Sequence, residues 1–279
     1  VLKILHGSFT FPYMNMQQSP DPTRPTFTQL FQITPGAPVL PKPIDQQALP
    51  SVAGTPTSGS GVRLWTDPAE GPVGTSVVVH GSGLPAGAEL AATWLTQVGI
   101  DTQMIGGSGE ARPDAEWKLG TAHVAADGTL AWTVKVPADK GGAHQVVLRD
   151  GTTTVGATSF VVHPTAQPIT PQRGPVGTTI TLDINGMIDT DTGKILMLVY
   201  DNALVGYSCS VTSQGKITIF LPAAGEPGWH YIDLYPGIYK GDDLPGVYNY
   251  RLPQLTYAED HPGERVPAFH YAFEVTPGS

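Results

Sequence analysis

Residues 70–84 read EGPVGTSVVVHGSGL, and residues 173–187 read RGPVGTTITLDINGM. Gly-Pro-Val-Gly-Thr thus recurs 103 residues on, each time ahead of a run rich in β-branched residues. Two further matches lie downstream in the same order. DGTLAWTVKVPADKGGAHQVVLRDG (127–151) aligns with QGKITIFLPAAGEPGWHYIDLYPG (214–237), and FVVHP (160–164) aligns with FEVTP (273–277). Three ordered matches make an internal duplication, and a duplication has to be read before anything else because it sets the fold. The changing offset shows the second copy to be 17 residues shorter in its middle and 27 residues longer before its last strand.

Each copy reads as strands and turns. Thr179-Ile180-Thr181-Leu182-Asp183-Ile184 alternates strictly, as a half-buried strand requires, and Ser76-Val77-Val78-Val79-His80 is its counterpart. Leu130, Trp132, Val134 and Val136 alternate with small or polar residues, and Ile217, Ile219 and Leu221 do the same in the second copy. Val146 and Leu148, answered by Ile232 and Leu234, mark the next strand. Asp127-Gly128 and Asp150-Gly151 between such runs are hairpin signals. Apolar residues nowhere hold a 3.6-residue period for three turns, so about seven strands per copy and no substantial helix are expected.

The run D-P-x-x-G-P-V-G-T-x-V-x-V-x-G-S-G-L-P-A-G from Asp67 to Gly87 resembles the opening of a bacterial immunoglobulin-like domain of the IPT/TIG type. Residues 168–186 (PITPQRGPVGTTITLDING) resemble it too, with the Gly-x-Gly turn reduced to Asn185-Gly186. The resemblance implies tandem β-sandwiches in a secreted or cell-surface protein, where such domains serve as adhesins, stalks, filament components or spacers beside enzymes. Within it the Gly-Pro-x-Gly-Thr turn is structural: proline sets φ, and the second glycine accepts positive φ before the strand.

Composition agrees with a turn-rich β protein: 33 glycines and 27 prolines in 279 residues, with only 14% charged. Net charge is −9 and the 15 Lys and Arg are scattered, the opposite of a nucleic-acid or anionic-membrane footprint. No apolar run approaches the ~18 residues of a spanning helix. Cys209 is the single cysteine, so no intrachain disulfide and no thiolate metal cluster forms; between Ser208 and Ser210 it reads as a small core residue. The chain opens on Val1 without a charged n-region and apolar h-region, which points to a processed or truncated product.

Residues 1–61 precede the repeats. From Ser19 to Ser60 the composition turns to Pro, Ser, Thr, Gln and Gly, an extended linker or strap. Before it, Ile4, Leu5, Phe9, Phe11 and Tyr13 make an apolar stretch, and Phe9-Thr10-Phe11-Pro12-Tyr13 suggests an edge strand because Pro12 has no N–H for a central ladder. Such a strand either packs on its own chain or adds to the sheet of a neighbouring subunit. The long segment 236–269 of the second copy carries Tyr239, Tyr248, Tyr250 and Tyr257 among Asp242, Asp243, Glu259 and Asp260. Tyrosine offers a rigid contact face with a polar tip, so these four either bind a partner or cover the edge of their own domain.

Catalytic patterns are lacking: no G-x-S-x-G, H-E-x-x-H, Walker loop or C-x-x-C occurs. Gly81-Ser82-Gly83-Leu84-Pro85-Ala86-Gly87 is a turn, its spacing wrong for a dinucleotide loop. Asp189-Thr190-Asp191-Thr192-Gly193 begins like a calcium loop but has Gly193 at the third alternate position and no glutamate at the twelfth, so a solvated turn is expected. His144 and His230 fall at equivalent positions after a glycine-containing turn, which argues for hydrogen bonds to turn carbonyls rather than metal binding. Glu259-Asp260-His261 supplies acid and base groups without a defined cleft.

The sequence therefore predicts an all-β chain of two tandem immunoglobulin-like sandwiches (62–164 and 165–279) behind an extended proline-rich arm (1–61). The function expected is that of a non-catalytic extracellular or cell-surface structural or adhesive protein, a filament or layer subunit assembling through its arm. Its partners would be other copies of itself or other surface proteins, with glycans as a further class; no cofactor, metal, nucleic acid or membrane insertion is expected. The alternative is a carbohydrate-binding or spacer module of a larger secreted enzyme.

Overall fold

The computed structural model describes residues 2–4, 27–29, 61–97, 114–188, 195–210, 214–240, 250–253 and 268–278. Among them every regular element is a strand.

The duplicated motif closes the same turn twice. In Pro72-Val73-Gly74-Thr75 the Thr75 N–H donates to the Pro72 carbonyl at 3.1 Å and its hydroxyl to the same oxygen at 2.6 Å. Thr178 and Pro175 repeat both bonds at 3.1 and 2.7 Å. Gly74 and Gly177 take φ of 84° and 86°, the left-handed third position of a type II turn, which a side chain would strain. Their N–H groups donate to the carbonyls of Val136 and Ala223, tying each turn to the residue just past the end of the strand paired with the one it feeds.

The first sandwich comprises β3 (Arg63–Asp67), β4 (Glu70–Pro72), β5 (Ser76–Ser82), β6 (Glu89–Gln97), β7 (Asp114–His123), β8 (Leu130–Lys135), β9 (Gly142–Asp150) and β10 (Thr153–His163). The second comprises β11 (Thr165–Ala166), β12 (Arg173–Gly174), β13 (Thr179–Asn185), β14 (Ile195–Tyr200), β15 (Ala203–Cys209), β16 (Ile217–Pro222), β17 (Gly228–Lys240), β18 (Tyr250–Pro253) and β19 (Phe269–Val275). Sheets β3-β5-β8 and β11-β13-β16 correspond, as do β4-β10-β9-β6-β7 and β12-β19-β17-β14-β15; β18 pairs β17 outside that path. Even the irregularities match: β4 and β12 run parallel to β10 and β19, and a bulge falls at Ala92/Thr93 and again at Leu198/Val199.

Alternation puts one side of every sheet inside. Strands β5 and β13 share one in-and-out pattern, burying Val77 and Val79 in one copy and Ile180, Leu182 and Ile184 in the other. Trp94, Phe160 and Leu148 fill the first core, and Phe273, Leu196 and Ile232 the second. Each such side chain contributes about 1.5–3 kcal/mol by leaving water.

One expectation is corrected. Cys209 is exposed, because among the described residues β15 is the last strand of its sheet and Cys209 lies on its outward side, opposite Ile195. Within the Ser19–Ser60 stretch, β2 (Phe27–Gln29) pairs antiparallel with β1 (Leu2–Ile4). Three residues among prolines are too few to show alternation, so only a pairing partner reveals the strand. Backbone proximity divides the chain into two compact units, Val1–Val39 with Tyr239–Arg251, and Leu40–Ile238 with Leu252–Ser279, the second holding both sandwiches.

Candidate interaction surface

Because the copies share sheet order and register, the first serves as an internal reference for the second. The five-stranded sheet of the first copy and the six-stranded sheet of the second each turn one side outward. On β9 that side carries Ala143, Gln145 and Arg149; on β17 the equivalent positions are Trp229, Tyr231 and Tyr235. On β7 it carries Lys118, Thr121 and His123; on β15, Leu204, Tyr207 and Cys209. Most of these small or polar positions have become aromatic or aliphatic, while outward Val147 of β9 gives way to Asp233 on β17. Trp229 and Tyr231 are 44% and 41% exposed and Tyr207 70%, so the change lies at the surface. Between them β14 is buried on both sides, Leu196 and Leu198 toward the core and Ile195, Met197 and Val199 outward.

The first copy's outer side is polar by contrast. Arg149 pairs with Glu116 at 2.6 Å, and an open cleft of about 580 Å³ is lined there by Gln97, Asp114, Glu116, Lys140 and Gln145. Lys140 Nζ donates to Gln97 at 3.2 Å beside it.

Behind each outer sheet, aromatic and imidazole rings stack and hold a turn. The His144 ring lies against Trp94 at 4.7 Å with its Nε2 2.8 Å from the Lys140 carbonyl; the His230 ring lies against Tyr200 at 5.7 Å with its Nε2 2.7 Å from the Glu226 carbonyl. Both histidines therefore perform the turn-holding role expected of them. The carboxylates come from different places. Asp201, following β14, meets His230 Nδ1, whereas Asp139, within the turn itself, lies 3.4 Å from His144 Nδ1.

Burial alone pulls the His230 pKa down, but the hydrogen bonds to Asp201 and to the Glu226 carbonyl, with the carboxylate's charge, outweigh it and hold the imidazole above its ordinary value. A raised folded pKa favours folding while the ring is protonated. This contribution is complete below the unfolded value near 6.5 and is lost as pH rises through the folded value. The urea midpoint of the protein is expected to fall as pH rises above about 6.5, by a component that His230→Gln removes; an identical pH profile for that variant refutes the assignment.

Asp139 is 1% exposed and lies at the joint between the sandwiches. It accepts from the Trp94 indole N–H at 2.8 Å, the Lys140 N–H at 2.8 Å and the Gln214 side-chain amide of the second copy at 2.9 Å. Gln214 also donates to the Gln97 carbonyl at 3.0 Å. The backbones meet beside it: the Gly141 N–H donates to Met187 and the Met187 N–H to Gly215, both at 2.9 Å, and Gly141 bridges Ile188 in parallel fashion. A Cβ on Gly141 would strike the Gly186 carbonyl, and one on Gly215, where φ is +77°, would sit 2.5 Å from the Lys140 Cα.

Of the tyrosines singled out in sequence, Tyr239 lies in β17 and Tyr250 in β18, while Tyr248 and Tyr257 lie outside the described residues. Ile4 lies in β1, opposite Phe27; Leu5, Phe9, Phe11 and Tyr13 lie outside the described residues, as do Asp189, Asp191, Glu259, Asp260 and His261. Among the described residues no group of three or more His, Cys, Asp or Glu is placed to hold a metal ion. No helix among them is long and apolar enough to cross a membrane. Sequence reading missed Trp229, Tyr231, Leu204 and Tyr207. The signal was available in the 86-residue alignment, which sets Trp229 opposite Ala143 and Tyr231 opposite Gln145.

No family model matches the chain, and no curated protein does. Similar solved structures include murine CEACAM1b (15% identity, 69% of this chain and 98% of that one, TM-score 0.19). The D0-D1 domain of intimin is also similar (13%, 70% and 100%, TM-score 0.21). A third is a mouse coronavirus receptor-binding domain complexed with its murine receptor (14%, 69% and 98%, TM-score 0.19). At these TM-scores the fold is carried by the sheet order described above.

Proposed function

We propose that this protein is a non-catalytic adhesive or structural module of a cell surface or extracellular assembly, bacterial and of the IPT/TIG type. It presents the outer side of its second sandwich to a protein partner. The observation supporting this reading is the replacement of Ala143 and Gln145 by exposed Trp229 and Tyr231 on an otherwise equivalent sheet. Aromatic rings on rigid strands lose little entropy on binding and supply most of an interface's energy. The apolar arm and the Tyr239–Tyr257 segment would add further contacts to a filament or layer.

The test is capture of proteins from surface-protein extracts on beads carrying the intact chain. Trp229→Ala with Tyr231→Ala is expected to weaken capture at least ~30-fold while changing stability by no more than about 0.5 kcal/mol, both side chains being half-exposed. Unchanged capture sinks the reading.

A second reading, a carbohydrate-binding module, rests on the cleft lined by Gln97, Asp114, Glu116 and Gln145, whose amides and carboxylates suit sugar hydroxyls. It predicts glycan binding that Glu116→Ala abolishes and that the aromatic double variant leaves intact.

A further inference from the structure

We propose that the free edge of β15 pairs with the same edge of a second copy of this chain, joining two outer sheets about a two-fold axis. The proposal rests on the reading of the chain as a binding module and names one of its partners.

Strand β15 ends its sheet and among the described residues pairs only with β14. An open edge presents a row of backbone donors and acceptors that invites another strand, and soluble proteins usually blunt it with charge or proline. The equivalent edge of the first copy is blunted: β7 carries Asp114, Glu116 and Lys118 and ends on His123. Through the same bulge, Leu204 replaces Lys118, Tyr207 replaces Thr121 and Cys209 replaces His123, so Ala203–Cys209 holds no acid, base or proline. Leu204, Val205 and Tyr207 are exposed, and so is Phe220 on β16, the strand that packs beside β15 at this rim.

The occupant follows from charge and symmetry. The chain carries −9, so two copies repel except where neither presents charge, and this edge is such a place. An antiparallel strand pairing is compatible with a two-fold axis, which makes the interface self-complementary and sets the Leu204–Val205 end of one strand against the Tyr207 end of the other. A basic partner would instead be read by an acidic edge.

The test uses the intact chain in sedimentation velocity over a concentration series, with a nitroxide on Cys209, the single and exposed cysteine, reporting proximity. The expected result is a concentration-dependent dimer with dipolar broadening between the two labels. Leu204→Lys, which restores the residue of the first copy, and independently Tyr207→Lys should raise the dimer dissociation constant at least ~30-fold. Their far-ultraviolet circular dichroism and unfolding midpoint should be unchanged. A monomer at every concentration overturns the proposal, as does a dimer indifferent to both lysines. A dimer lost only when residues 1–18 are removed assigns the contact to the arm and also overturns it. A monomeric chain that still captures a partner through Trp229 and Tyr231 sinks this proposal and leaves the adhesive reading standing.

Discussion

Asp139→Ala is expected to lower the unfolding free energy by about 3–5 kcal/mol, the cost of leaving its donors unpaired and opening a cavity beside Trp94. The carboxylate is the shared acceptor of the Trp94 indole, the Lys140 backbone N–H and the Gln214 amide, and it stands beside His144. Without it the Trp94 and Lys140 donors stay buried and unpaired, each costing about 1–3 kcal/mol, and a small cavity opens next to the largest core side chain. For a sandwich of about 100 residues this lowers the melting temperature by roughly 10 °C or more. Asp139→Asn keeps the volume but turns one oxygen into a donor facing a donor, so it should fall between the wild type and alanine. Calorimetry of the three proteins checks the order, and a shift of less than about 1 kcal/mol for alanine would show that the network is not a structural keystone.

Gly141→Val is the second large effect, and it acts on the joint rather than on either core. The Gly141 backbone approaches Gly186 so closely that no Cβ fits, while its N–H bonds Met187 and its backbone forms an isolated bridge with Ile188. A side chain there meets the Gly186 backbone first, which cannot rotate away as a flexible side chain would, with the Ile188 Cγ1 3.0 Å away beside it. Opening the contact also parts Gln214 from Asp139, a bond across the two copies. The wild type is expected to unfold its sandwiches in one calorimetric transition, and Gly141→Val to split that transition in two, with a loss on the order of 2–3 kcal/mol for the first sandwich. Small-angle scattering should show a broader distribution of interatomic distances for the variant. An unsplit transition at the wild-type midpoint would mean the copies are coupled elsewhere.

Both predictions concern residues that no motif marks. Asp139 sits in Pro-Ala-Asp-Lys-Gly-Gly, which reads as an ordinary polar turn, and its counterpart by alignment is Gly225. The aspartate matters only because the fold brings Trp94, 45 residues away, and Gln214, 75 residues away, to the same two oxygens. The histidines were more legible. His144 and His230 occupy one repeat position, and a shared position after a shared turn implies a shared local bond, which both make within four residues of themselves. Cys209 went the other way: Tyr-Ser-Cys-Ser looks like any half-buried strand, and whether its sheet continues past it depends on a neighbour that local sequence does not name.

Local chemistry thus determined the strands, the paired Gly-Pro-Val-Gly-Thr turns and the all-β class, because alternation and positive-φ glycines are properties of a few consecutive residues. The duplication added the sheet order of one copy as a guide to the other. Which strand became an edge, which carboxylate became buried, and whether the aromatic side chains of the second copy stayed exposed were decided only by tertiary structure. Edges, burial and shared acceptors are relations between residues far apart in the chain, and their energies exist only once packing has removed water from between them.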